Sequence, residues 1–161
     1  MTRLVGLDIG TTSVKGIAID PSGVVVHVAE RGYPLSTPRP GWSEQNPDDW
    51  WRAAAEVLDE CEADRALGIG LSGQMHGLVA LDQRERPLRP AILWNDGRTQ
   101  KQCEEIEERV GLSRLIELTG NRALAGFTAP KLLWLREEEP DVYERIRSIP
   151  VSYTHLTLPT N

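Results

Sequence analysis

The chain opens on two apolar runs of strand length separated by a short polar turn. Residues 3–9 read Arg-Leu-Val-Gly-Leu-Asp-Ile and residues 14–20 read Val-Lys-Gly-Ile-Ala-Ile-Asp, with Gly10, Thr11, Thr12 and Ser13 between them. Asp20-Pro21-Ser22-Gly23 places Pro and Gly where a tight turn needs them, and residues 24–30 form a third, valine-rich run. Such runs, broken by such turns, predict a three-stranded antiparallel meander. Residues 33–42 hold Pro34, Pro38 and Pro40 among polar side chains and predict an extended loop. Asn46 suits an N-cap, Pro47 the first helical position, and Asp48 and Asp49 the positive helix start, so a helix is predicted from there to about Ala63. Trp51, Ala54, Ala55, Leu58 and Cys61 share one face of it, the face expected to be buried.

The pattern continues through a short strand at residues 67–71 and a Gly-bracketed turn, Ser72-Gly73-Gln74-Met75-His76-Gly77. Residues 78–81 and 90–93 read as strands around a charged turn at 82–86. After Trp94-Asn95-Asp96-Gly97-Arg98 the period becomes helical. Cys103, Ile106 and Val110 mark one face of a helix from about Thr99, residues 112–118 a short helix closed by Gly120, residues 127–136 another, and residues 141–147 the start of a last one. Strands and helices interleave, which gives an α/β class with a mixed sheet, an antiparallel N-terminal meander and flanking helices.

A length of 161 residues suffices for one domain with a core. The formal net charge of -6 argues against a surface whose main partner is nucleic acid or an anionic membrane. Cys61 and Cys103 lie far apart in helix-like stretches, so a reduced, partly buried state is expected rather than zinc ligation. No apolar run reaches membrane-spanning length and no leader-like segment precedes the first strand, which makes the cytoplasm the expected location.

Three stretches carry candidate chemistry. Asp8 is a carboxylate on an otherwise apolar strand and is expected to be buried and compensated, for which the adjacent Gly and hydroxyls offer partners. Phosphate oxygens suit such donors and a divalent ion held by phosphates suits Asp8; an ordinary hairpin whose Asp caps its own turn remains the alternative. There is no GxxxxGK[ST], so a P-loop is excluded. Gln74, Met75 and His76 combine directed hydrogen bonding with apolar contact, which suits a polyhydroxylated ligand; a solvent-facing loop histidine is the alternative. Asp96 and Arg98 could clamp a ligand beside a Trp94 pocket wall, or clamp each other at a capped helix start with Trp94 in the core.

Taken in order, Asp-Ile-Gly-Thr-Thr-Ser, Trp-Ser-Glu-Gln-Asn-Pro, Gly-Gln-Met-His-Gly, Ile-Leu-Trp-Asn-Asp-Gly-Arg and Gly-Phe-Thr-Ala-Pro-Lys strongly resemble the N-terminal domain of FGGY carbohydrate kinases, of the xylulokinase kind. The resemblance covers about residues 3–150. It implies a ribonuclease-H-like domain of the actin-like ATPase superfamily and ATP-dependent phosphorylation of a sugar hydroxyl, for this kind D-xylulose to D-xylulose 5-phosphate. It implies Asp8 as organiser of phosphates and Mg2+, through water, and Gly10, Thr11, Thr12, Ser13 and Lys15 at the ATP phosphates. Met75 and His76 match the family's sugar-contacting pair, with Gln74, Trp94 and Asp96 beside them. Glycerol kinases of the family show a Gln-Arg-Glu pattern in place of Gln74-Met75-His76 and Tyr in place of Gly126, so a roomier, neutral pocket favours a pentulose here. A kinase for L-ribulose, gluconate or glycerol, or a non-catalytic actin-like or sugar-binding module, is the alternative.

The resemblance places the catalytic base, an Asp, and the adenine pocket in a C-terminal domain beyond residue 150, so the chain alone is expected to be inactive. For the full-length protein it allows a homodimer; no nucleic-acid or membrane partner is expected. Residues 151–161, Val-Ser-Tyr-Thr-His-Leu-Thr-Leu-Pro-Thr-Asn, resemble a translated sequencing-library adapter and are expected to be a non-native tail after a kinase domain of residues 1–150.

Overall fold

The computed structural model describes residues 2–150; the expectation for residues 151–161 lies outside them. In chain order the elements are β1 (Arg3–Ile9), β2 (Ser13–Ile19), β3 (Val25–Gly32), β4 (Glu44–Gln45), α1 (Pro47–Glu60), a 3-10 turn (Ala63–Arg65), β5 (Ala66–Gly73), β6 (Ala91–Ile92), α2 (Gln100–Val110), α3 (Leu112–Thr119), α4 (Thr128–Glu138) and α5 (Pro140–Arg145). They fall into two compact units. One is the chain up to Leu35 with Asn46–Met75; the other is Ser36–Gln45 with the chain from His76 onward.

The first unit is a four-stranded mixed sheet in the order β3-β2-β1-β5. The predicted meander is present: β1 and β2 are antiparallel, as are β2 and β3. β5 joins the far side of β1 in parallel. A strand presents alternate residues to opposite faces, and here Val5 and Leu7 of β1 with Val14 and Ala18 of β2 turn inward against Ala53, Ala54, Val57 and Cys61. α1 begins as its caps dictate, with the Asn46 side chain accepting from the Asp48 amide at 3.1 Å and Pro47 at the first position.

The buried face of α1 differs from expectation. Trp51 is 74% exposed and Ala55 is exposed, while Ala53, Ala54 and Val57 are buried. Ala53, Ala54, Val57 and Cys61 form the stripe of the helix that faces the sheet, and Trp51 falls to one side of it. A Cβ on Gly16 of β2 would stand 2.4 Å from Val57 Cγ1 and 3.0 Å from Cys61 Sγ. At Val57 and Cys61 the helix therefore packs closely on β2. Asp8 also departs from expectation: it is exposed, because the alternation that sends Leu7 inward sends Asp8 to the other face. Along β5, Ile69 and Leu71 are each 47% exposed, so this edge of the sheet carries apolar surface that α1 does not cover.

In the second unit the expected strands are shorter. β4 pairs antiparallel with β6, Glu44 opposite Ile92 and Gln45 opposite Ala91. Residues 78–81 make isolated bridges rather than a strand: Leu78 to Ile92, and Leu81 to Pro87 and Ser148. The core gathers Leu78, Ala80, Ile92, Trp134 and Leu135, with Trp42 and Tyr143 packed against it. Helices stand near the expected places, and Gly120, at φ +74°, ends α3 in the left-handed conformation that glycine adopts without strain.

The β2–α1 spacing is testable. Gly16→Ala should overpack the first core and lower unfolding free energy by about 1–3 kcal/mol, read as a lower urea midpoint; an unchanged midpoint would show that the helix yields freely.

Candidate functional site

Asp8 sits at the carboxyl end of β1 in a row of polar residues that crosses the sheet. The register sets Asp8 opposite Lys15 on β2 and opposite Ser72 on β5, and Lys15 opposite Glu30 on β3. The Ser72 hydroxyl donates to Asp8 Oδ1. Lys15 Nζ lies 3.7 Å from Glu30 Oε1, and the Ser13 hydroxyl donates to the same oxygen at 2.6 Å. Cations and hydroxyls therefore alternate with carboxylates on one solvent-facing face, where their charge is not heavily desolvated.

The turn after β1 is tied from behind. The Gly10 amide donates to the Ser13 carbonyl at 3.0 Å, closing the turn. The Gly10 carbonyl accepts from the Tyr33 hydroxyl and, at 3.5 Å, from Gln74 Nε2. The Gln74 amide donates to the Ile9 carbonyl at 3.0 Å. Burial, with the negative charge of Asp8 second, pushes the Tyr33 phenol up to about 12, so it remains a donor to Gly10 across the ordinary pH range. Tyr33 and Ser72 were not singled out from the sequence: only the fold brings residues 33 and 72 to this turn.

In the second unit His76 has φ +60°, a left-handed backbone that an L side chain adopts only under constraint. The constraint is visible. Its carbonyl accepts from Lys131 Nζ at 2.8 Å and from the Thr128 hydroxyl at 3.4 Å, and its ring lies 4.5 Å from that of Phe127. Lys131 is 0% exposed and also donates to the Gly126 carbonyl at 2.5 Å. Burial pushes its ammonium down to about 8, with Asp96 pulling it up and Arg98 pushing it further down. Gly126 is required where it stands, since a Cβ there would lie 2.5 Å from the Trp94 carbonyl oxygen. The α4 start thus packs directly on the backbone of the Trp94 turn.

Trp94 is half-exposed, but Asp96 is 2% exposed and occupied. Its Oδ1 accepts from the Arg98 amide at 3.0 Å and Arg98 Nε at 2.9 Å; its Oδ2 accepts from the Ser43 amide at 2.6 Å and Arg98 Nη2 at 2.7 Å. The Arg98 side chain, 1% exposed, also pairs with Glu44 at 2.8 Å and stacks 3.6 Å from the Trp42 ring centroid. Asp96 and Arg98 clamp each other, but Trp94 is not in the core and the helix that follows is capped at Thr99 rather than at Asp96. Asp96 orders the Trp94 turn and has no oxygen left for a ligand. The sequence expectation thus divides by unit: Asp8, Gly10, Thr11, Thr12, Ser13, Lys15, Gln74 and the half-exposed Met75 lie in the first, and His76, Trp94 and Asp96 in the second.

Lys131 gives a pH signature. Its unfolded proton leaves near the ordinary lysine value, whereas its folded proton leaves near 8. Between these values the unfolded chain holds the extra proton, so this group's contribution to stability rises with pH, by at most about 1.4 kcal/mol per pH unit. Urea unfolding of the parent and Lys131→Met at several pH values should show the parent gaining on the variant above pH 8; a constant gap would show that Lys131 does not titrate there.

The chain matches the N-terminal domain model of the FGGY family of carbohydrate kinases over residues 3–159. It is 46% identical to the xylulose kinase of Lactococcus lactis over 98% of its own length, and 42% identical to the xylulose kinase of Escherichia coli over 96%. It spans about a third of the length of these curated relatives, 32% in each case. The solved xylulose kinase from Rhodospirillum rubrum superimposes with a TM-score of 0.89 at 36% identity, over 97% of this chain and 34% of that one. The fold is that of the actin-like ATPases. By sequence and by structure, the chain belongs to the FGGY family of carbohydrate kinases and carries its N-terminal domain.

Proposed function

We propose that this chain is the N-terminal part of an ATP-dependent kinase that converts D-xylulose to D-xylulose 5-phosphate. The observation that carries the reading is the 46% identity, over nearly the whole chain, to a xylulose kinase. On this reading the Gly10 turn faces the phosphates and the His76 turn the sugar.

The residues fit these roles. Asp8 is exposed at a strand end, so a hydrated cation reaches it without the cost of burying a carboxylate. Lys15, one register position away, adds positive charge on the same face. ATP would supply the phosphoryl group, and a divalent ion, Mg2+ on this reading, charge at its oxygens. Asp8 would hold that ion through water, with Thr11, Thr12 and Ser13 lining the phosphate turn around Gly10. Met75 offers apolar contact to a carbon skeleton, and the fixed His76 a directed hydrogen bond. Trp94 would form a pocket wall, and Asp96 contributes by holding that wall in place. The catalytic base lies, on this reading, in a C-terminal domain of the same protein, which would also cover the apolar edge at Ile69 and Leu71. The substrate and ATP are cytoplasmic, and no helix among the described residues is long and apolar enough to cross a membrane.

Two measurements on the 161-residue chain test the reading. Calorimetry should show weak binding of D-xylulose, weaker binding of gluconate and glycerol, and loss of the sugar signal in His76→Leu. Preference for gluconate or glycerol would move the assignment to another branch of the family. An ADP-release assay with ATP and D-xylulose should show no substantial turnover, since loss of a general base alone costs about 10²- to 10⁴-fold; robust turnover would overturn the placement of the base.

A further inference from the structure

Four arginines of the second unit surround one cavity that the kinase reading does not use. The cavity has a volume of about 390 Å³ and is lined by Asp82, Gln83, Arg84, Arg86, Arg145 and Arg147. It is built from two segments held side by side by the backbone. The Leu81 amide donates to the Ser148 carbonyl at 3.0 Å, and the Arg147 amide to the Leu81 carbonyl at 2.9 Å. The Asp82 amide donates to the Arg86 carbonyl at 3.0 Å, closing the hairpin that carries Arg84 and Arg86.

The charge balance of this cavity is one-sided. Asp82 is its one carboxylate, and its oxygens are in use. Oδ1 accepts from the Arg84 and Arg86 amides at 2.7 and 3.0 Å, and Oδ2 from Arg86 Nε and Nη2 at 3.3 and 3.2 Å. Glu85 and Glu144, adjacent in sequence, do not line it. Among the described residues Arg84, Arg145 and Arg147 form no ion pair with a carboxylate, while Arg147 Nη1 is steadied by the carbonyls of Glu144 and Ile146 at 3.3 and 3.1 Å. Apart from Arg86, which pairs with Asp82, these guanidinium groups meet without a carboxylate between them and repel one another. In a chain of net charge -6 this clustering runs against the overall balance.

We propose that this cavity binds a phosphate-bearing small molecule. The planar guanidinium fork matches phosphate oxygens two at a time, and three unpaired arginines suit a dianion better than a monocarboxylate. The hollow is open to solvent and its four arginines are exposed, so an anion reaches them directly from solution; its volume exceeds what inorganic phosphate alone would fill. The cavity lies wholly within residues 82–147 and is separate from the Gly10 turn, so the inference does not depend on the assignment of xylulose. A concave patch on an acidic chain favours a small anion over a nucleic-acid strand, which needs an extended basic track.

Two-dimensional NMR of the 161-residue chain, titrated with D-ribose 5-phosphate, D-ribose or inorganic phosphate, decides the matter. Ribose 5-phosphate should shift the Arg84, Arg86, Arg145 and Arg147 resonances saturably, with Kd on the order of 0.1–1 mM at low salt. Ribose should shift none of them, and inorganic phosphate should bind more weakly at the same residues. The double variant Arg84→Ser/Arg145→Ser, on an exposed turn and an exposed helix end, should keep its circular dichroism and weaken binding roughly tenfold or more. Shifts confined to residues 8–15, shifts that never saturate, an unaffected double variant, or tighter binding of a single-stranded oligonucleotide at these residues would each overturn the proposal.

Discussion

The second unit depends on the burial of one guanidinium. Arg98 is held between the Trp42 and Trp134 rings, with centroids at 3.6 and 4.8 Å, and between the carboxylates of Asp96 and Glu44. Taking a charge out of water costs several kcal/mol, and removing one partner of such a pair costs about 3–5 kcal/mol. The cost is met here because every neighbour is itself committed. Glu44 also pairs with Arg89, Arg89 with Glu139 at 2.8 Å, and the two indoles meet edge to face at 5.3 Å. The network joins the β4 strand, the Trp94 turn and the end of α4. It gives a two-strand sheet of two residues each a rigidity that its own hydrogen bonds could not supply.

The same logic explains His76. A left-handed histidine is a strained element, and such strain persists only where the surroundings overdetermine it. Lys131 and Thr128 hold the carbonyl and Phe127 the ring, so the turn that carries the imidazole is held in one conformation. Preorganisation of this kind lowers the ordering cost of binding. A buried lysine is an expensive anchor: its two carbonyl acceptors satisfy the ammonium's hydrogens, but burial still pushes its proton affinity down.

What was legible in the sequence was what is local. The alternation of β1 and β2, the Asp20–Gly23 turn and the Asn46-Pro47 cap each rest on neighbours in the chain, and each stands where expected. The ordered motifs likewise carried the family. Misread positions depended on partners far along the chain. The sequence pattern places Trp51 on the buried face of α1, but the rotation of the helix on the sheet is set by contacts such as those of Val57 and Cys61 with Gly16, some forty residues earlier in the chain. For Asp96 the clamp with Arg98 is local and is one of the readings the sequence offers, whereas its bond from the Ser43 amide spans 53 residues and was not legible. Residues 78–81 read as a strand because alternation does not say whether a neighbour continues beside them. Lys131 was read only as one letter of a motif, since nothing nearby announces that an ammonium will be buried.

The corrected position of Asp8 strengthens the phosphate reading. A buried carboxylate would have had to be neutralised within the fold, leaving little charge to attract a cation. An exposed one at the end of β1, opposite Lys15 and accepting from Ser72, stays within reach of what arrives from solvent. The turn that follows shows the complementary arrangement. A carbonyl oxygen pointed at a phosphate would repel it, and the Gly10 oxygen is drawn toward Tyr33 and Gln74 instead. Burial holds the Tyr33 phenol in its protonated, donating form, so this restraint persists across the ordinary pH range. Asp8 and Gly10 are therefore understood together: one side chain exposed to solvent and one backbone carbonyl tied back, two residues apart.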